Sequence, residues 1–178
     1  MIRGLEIRML REKHIPAFRA LRVRALKEVP HYFGAGLPDE KRTTDKSYGA
    51  AFGIGARRNF VLGGFVDGKL AGVIGFRRLG LENLKHKAAI WGMYVAPDHR
   101  GQGLGKALLE ECLTRAGKQR GLEAIQLAVE SGNRAAIGLY RKAGFRKYAV
   151  EKRGLKVAGE YYDEDWMQAD APGSGRGG

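Results

Sequence analysis

The chain has 178 residues, 44% of them hydrophobic, with one cysteine and a formal net charge of +13 at pH 7. That length suits one domain with a real core, and a lone cysteine excludes an internal disulfide framework and suits a reducing compartment. No apolar run approaches the roughly 20 residues of a membrane helix, and the N-terminus lacks a signal-peptide core, so a soluble cytoplasmic protein is expected, one whose scattered basic residues suit a polyanionic ligand or a solvated surface better than a dedicated nucleic-acid role.

In chain order, "LEIRML" (Leu5–Leu10) alternates as a first strand. "IPAFRALRVRALKEV" puts Phe18, Leu21, Ala25 and Leu26 on one face of a helix. A loop "HYFGAGLP" leads to "DEKRTTDKSYGAAF", which reads as a second, weaker helix. "NFVLGGFV" and "KLAGVIGFRR" form a hairpin through Asp67-Gly68, with Gly63-Gly64 weakening the first strand. "AAIWGMYV" is apolar throughout, which predicts a strand buried on both faces. A helix follows from about Gly103 to Arg120, then the strand "AIQLAV". "NRAAIGLYRKAG" is a short helix with Asn133 as N-cap and Gly144 as its stop. "FRKYAVE" and "EYYDEDWMQA" close the order as strands, and "DAPGSGRGG" reads as a disordered tail. The result is a mixed α/β domain over residues 1–169 with a tail over 170–178. Its strand–helix–strand step after Val95 predicts parallel neighbours.

The stretch "RGQGLGKALLEE" sets Gly101, Gly103 and Gly105 at alternate positions just where a helix begins. It is not a Walker loop, because Arg100 and Ala107 stand where Gly and Ser or Thr are required. Nor does it complete G-x-G-x-x-G, where Lys106 or Leu108 occupies the last place. A strand end, a glycine loop and a helix N-terminus nonetheless point free N–H groups and the positive end of a helix dipole at one place. That suits a phosphate or pyrophosphate. Tight packing of the helix entry is the alternative.

"RGQGLG" also fits the Arg/Gln-x-x-Gly-x-Gly/Ala signature of the GNAT superfamily of N-acetyltransferases, with Arg100, Gly103 and Gly105 in the defining places. "WGMYVAPDHRGQGLGKALLEECLTRA" resembles that family's central strand, loop and helix, and "LAVESGNRAAIGLYRKAGF" its following strand and helix. The resemblance implies a GNAT-type mixed, splayed β-sheet of about seven strands flanked by about four helices, opening between "AAIWGMYV" and "AIQLAV". It implies acetyl-CoA as cosubstrate and no metal. The pantetheine arm is then expected on the backbone of Met93, Tyr94 and Val95, and the pyrophosphate on Arg100, Gly101, Gln102, Gly103, Leu104, Gly105 and Lys106. Asn133 caps its helix and is a further candidate contact.

Acetyl transfer to an amine needs a neutral amine, a polarised carbonyl and a stabilised thiolate. The resemblance assigns the carbonyl to an amide of Met93 or Tyr94 and the thiolate to Tyr140, two helical turns after Asn133. A core tyrosine is the plainer alternative. The strand position where some members carry a glutamate is Ala89, so Glu82 is the leading candidate base, with His86 and Glu130 behind it. Cys112 reads as a helix core residue. On the last strand, alternation separates Tyr161 and Asp163 from Tyr162 and Glu164, and such acids suit an acceptor ammonium.

The expected activity is direct acetyl transfer to a primary amine of a small molecule or protein. The second reading is an acyl-CoA-binding module without turnover, and a nucleic-acid role comes third. The resemblance also leaves a homodimer open.

Overall fold

The computed structural model describes residues 2–54 and 58–173. Seven strands form one sheet in the order β1-β2-β3-β4-β5-β7-β6. They are β1 (Leu5–Met9), β2 (Phe60–Val66), β3 (Lys69–Arg78), β4 (Lys87–Val95), β5 (Ala124–Glu130), β6 (Arg146–Val157) and β7 (Glu160–Asp170). Five α-helices are present among the described residues, one more than expected: α1 (Ile15–Glu28), α2 (Leu37–Arg42), α3 (Asp45–Ala51), α4 (Leu104–Ala116) and α5 (Arg134–Lys142).

The extra helix arises because the segment expected as one weak helix is two. Thr44 is extended, and its hydroxyl accepts the Ser47 N–H at 3.2 Å, starting α3 afresh. α4 is shorter than expected and stops at Ala116 with Gly117 as its cap. The Asp67-Gly68 hairpin forms as read, with φ of +48° and +78° at its two turn residues.

One face of the sheet packs on α4 and α5 through Leu104, Leu108, Leu109, Cys112, Ile137 and Tyr140. The other packs on α1 and α3 through Ile15, Phe18, Leu21, Tyr48 and Phe52. β2 is buried along its whole length, and its glycine pair serves close packing. A Cβ on Gly64 would stand 2.6 Å from Leu104 Cδ1, the first residue of α4. That contact seats the start of α4 directly on the sheet.

At the C-terminal side, β7 runs through Asp170, and the buried Ala171 donates its N–H to the Glu123 carbonyl at 2.8 Å. Strand β7 thus runs one residue beyond the expected boundary at 169. Residues 174–178 of the expected tail lie outside the described residues. No helix among the described residues is long and apolar enough to cross a membrane.

Candidate active site

β4 and β5 are parallel neighbours, as the strand–helix–strand step required, but they pair only from Lys87–Ala89 to Ala124–Gln126. β4 continues to Val95 and β5 to Glu130, so beyond Ala89 the two strands part and leave a wedge in the sheet. This explains why β4 is not buried on both faces despite its composition. Ala88, Ile90 and Tyr94 are buried, whereas Trp91, Gly92, Met93 and Val95 are half-buried along the opening.

β4 also carries a bulge. Gly75 pairs with Trp91 and Val73 with Tyr94, so Gly92 and Met93 together oppose Ile74 alone. Gly92 takes φ +62° to permit it. Ala96 donates to the Ala71 carbonyl of β3 at 2.8 Å, and alternation then turns the N–H and C=O of Tyr94 toward β3 as well. The backbone of Val95 faces the wedge, and the ladder gives Met93 no β3 partner. Of the three expected backbone contacts, Met93 and Val95 are thus placed at the opening, and Tyr94 is not.

Past Val95, Gly101 and Gly103 take φ of +72° and +94°, and nothing lies within 4 Å of where a Cβ would stand on either. These two glycines shape an open turn. Gly105 differs: a Cβ there would meet Met93 Cε at 3.3 Å, so it seats α4 against β4. No side chain caps α4 at Gly103, which leaves the N–H groups of Leu104, Gly105 and Lys106 without intrahelical acceptors at the mouth of the wedge.

Arg100 is placed otherwise than expected. Its own N–H donates to the Pro97 carbonyl at 3.1 Å and its Nε to the Val95 carbonyl at 2.9 Å, while its guanidinium reaches Glu28 at 2.7 Å. Tyr94 donates its hydroxyl to the other Glu28 oxygen at 2.5 Å. Arg100 therefore fixes the loop to α1 and offers no free amide to a ligand. Burial pushes Tyr94 up to about 12, with Glu28 adding to the shift. The Gln102 amide donates to the Asp98 carbonyl at 3.0 Å, another bond that holds the turn.

Tyr140 lies 6% exposed on α5, and its hydroxyl donates to Met93 Sδ at 3.4 Å. A thioether is a weak acceptor for a buried phenol. Burial raises its pKa well above the ordinary tyrosine value, with Cys112 adding to it. Asn133 caps α5 by accepting the Ala136 N–H at 3.1 Å. Cys112 is fully buried in the core, and burial holds its thiol up to about 12, so it has no nucleophilic role.

Glu82 is not at the site. It sits on a short turn before β4, 81% exposed, and pairs with Lys85. Six residues of β4 separate Lys87 from Met93, about 20 Å at the strand rise. His86 is also at that far end, where it lines a cavity of about 660 Å³ with Lys87, Arg120 and Glu123.

The carboxylates near the open end come from strand register. Glu130 pairs with Glu164, and Glu164 with Glu151, setting three glutamates in a row across β5, β7 and β6. Tyr162, on the same face as Glu164, stacks on His31 from the α1–α2 connection at 4.8 Å. Burial raises the Glu164 pKa, and Glu151 beside it raises it further. Sequence reading had reached Glu130 and Glu164 separately, but it missed Glu151 and Glu28. Among the described residues, no cluster of His, Cys, Asp and Glu is arranged to hold a metal.

The sequence model of the Acetyltransferase (GNAT) family matches residues 22–145, which run from α1 through the wedge and past α5. The chain belongs to the GNAT family. Its resemblance to YncA from Salmonella typhimurium, solved with its cofactor acetyl-CoA, has a TM-score of 0.80 at 20% identity and covers 94% of each chain. That likeness shows the GNAT fold. Among curated relatives, the L-methionine sulfoximine/L-methionine sulfone acetyltransferase of Pseudomonas paraeruginosa is 41% identical over 76 residues, 43% of this chain and 44% of that enzyme. The N-alpha-acetyltransferase RimI of Mycobacterium tuberculosis is 33% identical over 106 residues, 60% of this chain and 64% of that one. The chain matches less than two thirds of the length of either relative.

Proposed function

We propose that this chain is an acetyl-CoA-dependent N-acetyltransferase that moves the acetyl group directly to a primary amine of a small molecule or a protein. The observation that carries the reading is the parting of β4 from β5 after Ala89, with the uncapped start of α4 at its mouth. The residues present suit acetyl-CoA. The N–H groups of Leu104, Gly105 and Lys106 lack acceptors where a pyrophosphate would gain from them, and the Gly101–Gly103 turn leaves space that a side chain would fill. The Met93 backbone and the Val95 N–H offer groups to an amide-bearing arm, as an edge strand does, while Arg100 already holds the Val95 carbonyl.

Acetyl-CoA supplies the activated thioester. The chain's own part is to align it, to polarise the carbonyl from the Met93 backbone, and to steady the sulfur from the Tyr140 hydroxyl. A phenol with a raised pKa is a poor acid for full proton transfer to a thiolate, but in a dry site its hydrogen bond to developing negative charge is strong. With Glu82 remote, the carboxylates bordering the open end are Glu130, Glu164 and Glu151. Of these Glu164 has its pKa displaced toward the range of a useful base. The same row attracts an ammonium-bearing acceptor despite the basic chain. The two relatives are named for a small amino-acid analogue and for N-alpha-acetylation, and a third, from Escherichia coli, for alanine of ribosomal protein bS18, so both acceptor classes belong in the screen.

The test is amine-dependent release of free coenzyme A, measured for wild type and Tyr140→Phe beside calorimetric binding of acetyl-CoA. Turnover reduced about 10²-fold at unchanged affinity is the expected outcome, in line with loss of one transition-state hydrogen-bond donor. Binding without turnover on any amine would instead favour an acyl-CoA-binding module. No binding at all would remove the enzyme reading.

A further inference from the structure

A further pocket lies at the β1 edge of the sheet. Its cavity, about 310 Å³, is lined by Ile7, Arg8 and Met9 of β1, by Arg11, Lys13 and His14 of the turn that follows, and by Arg115 in the last turn of α4. β1 is the first strand of the sheet, with β2 and β3 between it and β4. At about 4.8 Å per strand that separates it from the wedge by roughly 14 Å across the sheet.

Every charged residue of the lining is cationic. Arg8 is bonded to Glu6 at 3.1 Å and Arg115 to Glu111 at 2.7 Å, each with its carboxylate outside the lining. Arg11 and Lys13 make no ion pair among the described residues, and the exposed Glu12 between them does not line the cavity. The Nε of Arg8 is buried and has no hydrogen-bond partner among the described residues, although its side chain is 41% exposed. The Arg8 guanidinium lies 4.0 Å from the centre of the Phe65 ring, and His14 contacts the same ring at 5.4 Å. The Arg11 N–H donates to His14 Nδ1 at 2.9 Å, which places the imidazole proton on Nε2.

We propose that this pocket binds a small divalent oxyanion, a phosphate or phosphomonoester, independently of the wedge between β4 and β5. Arg11 and Lys13, with the N–H groups that Arg8 and Arg115 do not spend on Glu6 and Glu111, match a compact dianion, and the volume is at the small end for ligand sites. His14 reports the field inside. After burial, the causes that hold its pKa below 6.5 are Arg8, Lys13 and Arg11, with no carboxylate offsetting them. Four cations in the lining against the paired Glu6 and Glu111 and the exposed Glu12 leave the pocket positive. A bound dianion reverses that field without touching the acetyl-transfer machinery.

The test is a pH titration of the His14 imidazole by NMR, with inorganic phosphate, with glycerol phosphate, and with sodium chloride at matched ionic strength. Phosphate is expected to move the His14 midpoint upward by roughly 0.5, as a dianion about 7 Å away does through partly screened water. Chloride should leave it in place. In the double variant Arg11→Gln/Lys13→Gln, and separately in Arg8→Gln, the phosphate response should fall at least fivefold. Equal response to chloride would overturn the site, as would full response in both variants. A response to inorganic phosphate alone identifies the free ion, and a matching response to glycerol phosphate identifies the monoester; both support the site. Tighter engagement of His14 by a short single-stranded RNA, with steep salt dependence, would overturn the small-ligand assignment.

Discussion

Gly103 separates the conformational role of the glycine turn from its electrostatic role. Its φ is +94°, and nothing lies within 4 Å of an added Cβ, so Gly103→Ala introduces strain without a clash. A left-handed residue costs about 1–2 kcal/mol, and the stiffer unfolded chain returns about 0.4–1, for a net loss near 1 kcal/mol. Gly138 is the matched control. It lies inside α5 with equally open space, and Gly138→Ala should gain about 0.5–1 kcal/mol because a helix interior favours alanine. Gly103→Asp adds a carboxylate to the same strained position, where it takes up free N–H groups of α4 and repels another anion. Its acetyl-CoA affinity should fall at least tenfold, about 1.4 kcal/mol, while Gly103→Ala stays within a few-fold of wild type. Urea unfolding gives the first comparison and calorimetric titration the second. Equal stabilities for the two alanine variants would refute the conformational argument. Equal affinities for Gly103→Ala and Gly103→Asp would refute α4 as the anion site.

The Glu28 junction should show a pH signature. Burial opposes its charge, but hydrogen bonds from Arg100 and Tyr94 outweigh this and set its pKa below the ordinary 4.5. The unfolded state therefore takes up the proton first on acidification. The stabilisation is present above pH 4.5 and is lost as pH falls through the folded value. Wild type should exceed Glu28→Gln in urea stability at pH 7, with the gap closing below pH 4.5; a gap independent of pH would disprove the linkage. Arg22 and Glu40 form a buried pair at 3.6 Å, with side chains 10% and 5% exposed, and Tyr48 donates its hydroxyl to Glu40. Glu40→Leu should cost about 3 kcal/mol, since it strands a buried guanidinium. The double change Arg22→Met/Glu40→Leu should recover most of that loss, and a single-variant cost under about 1 kcal/mol would mean that the pair is well solvated.

The elements that sequence alone determined are those whose cause is local. The Asp67-Gly68 turn and the Asn133 cap of α5 are set by backbone sterics and short-range hydrogen bonds, and both are present as read. Local pattern also misleads where tertiary contacts decide. An apolar strand read as buried on both faces, yet β4 stands half-open because β5 leaves it after three pairs. Glu82 is a candidate base by proximity in sequence, but it sits before Lys87, and β4 carries the chain about 20 Å from Lys87 to Met93. Arg100 carries the family signature, and only the packing of α1 turns its guanidinium to Glu28, 72 positions away. The row of Glu130, Glu164 and Glu151 comes from three strands in register, and the cationic pocket from β1, its turn and the end of α4. Residues distant in the chain become neighbours through strand pairing and helix packing, which depend on burial summed over the whole core. No short window of sequence contains that sum, so those groupings were decided by the tertiary structure.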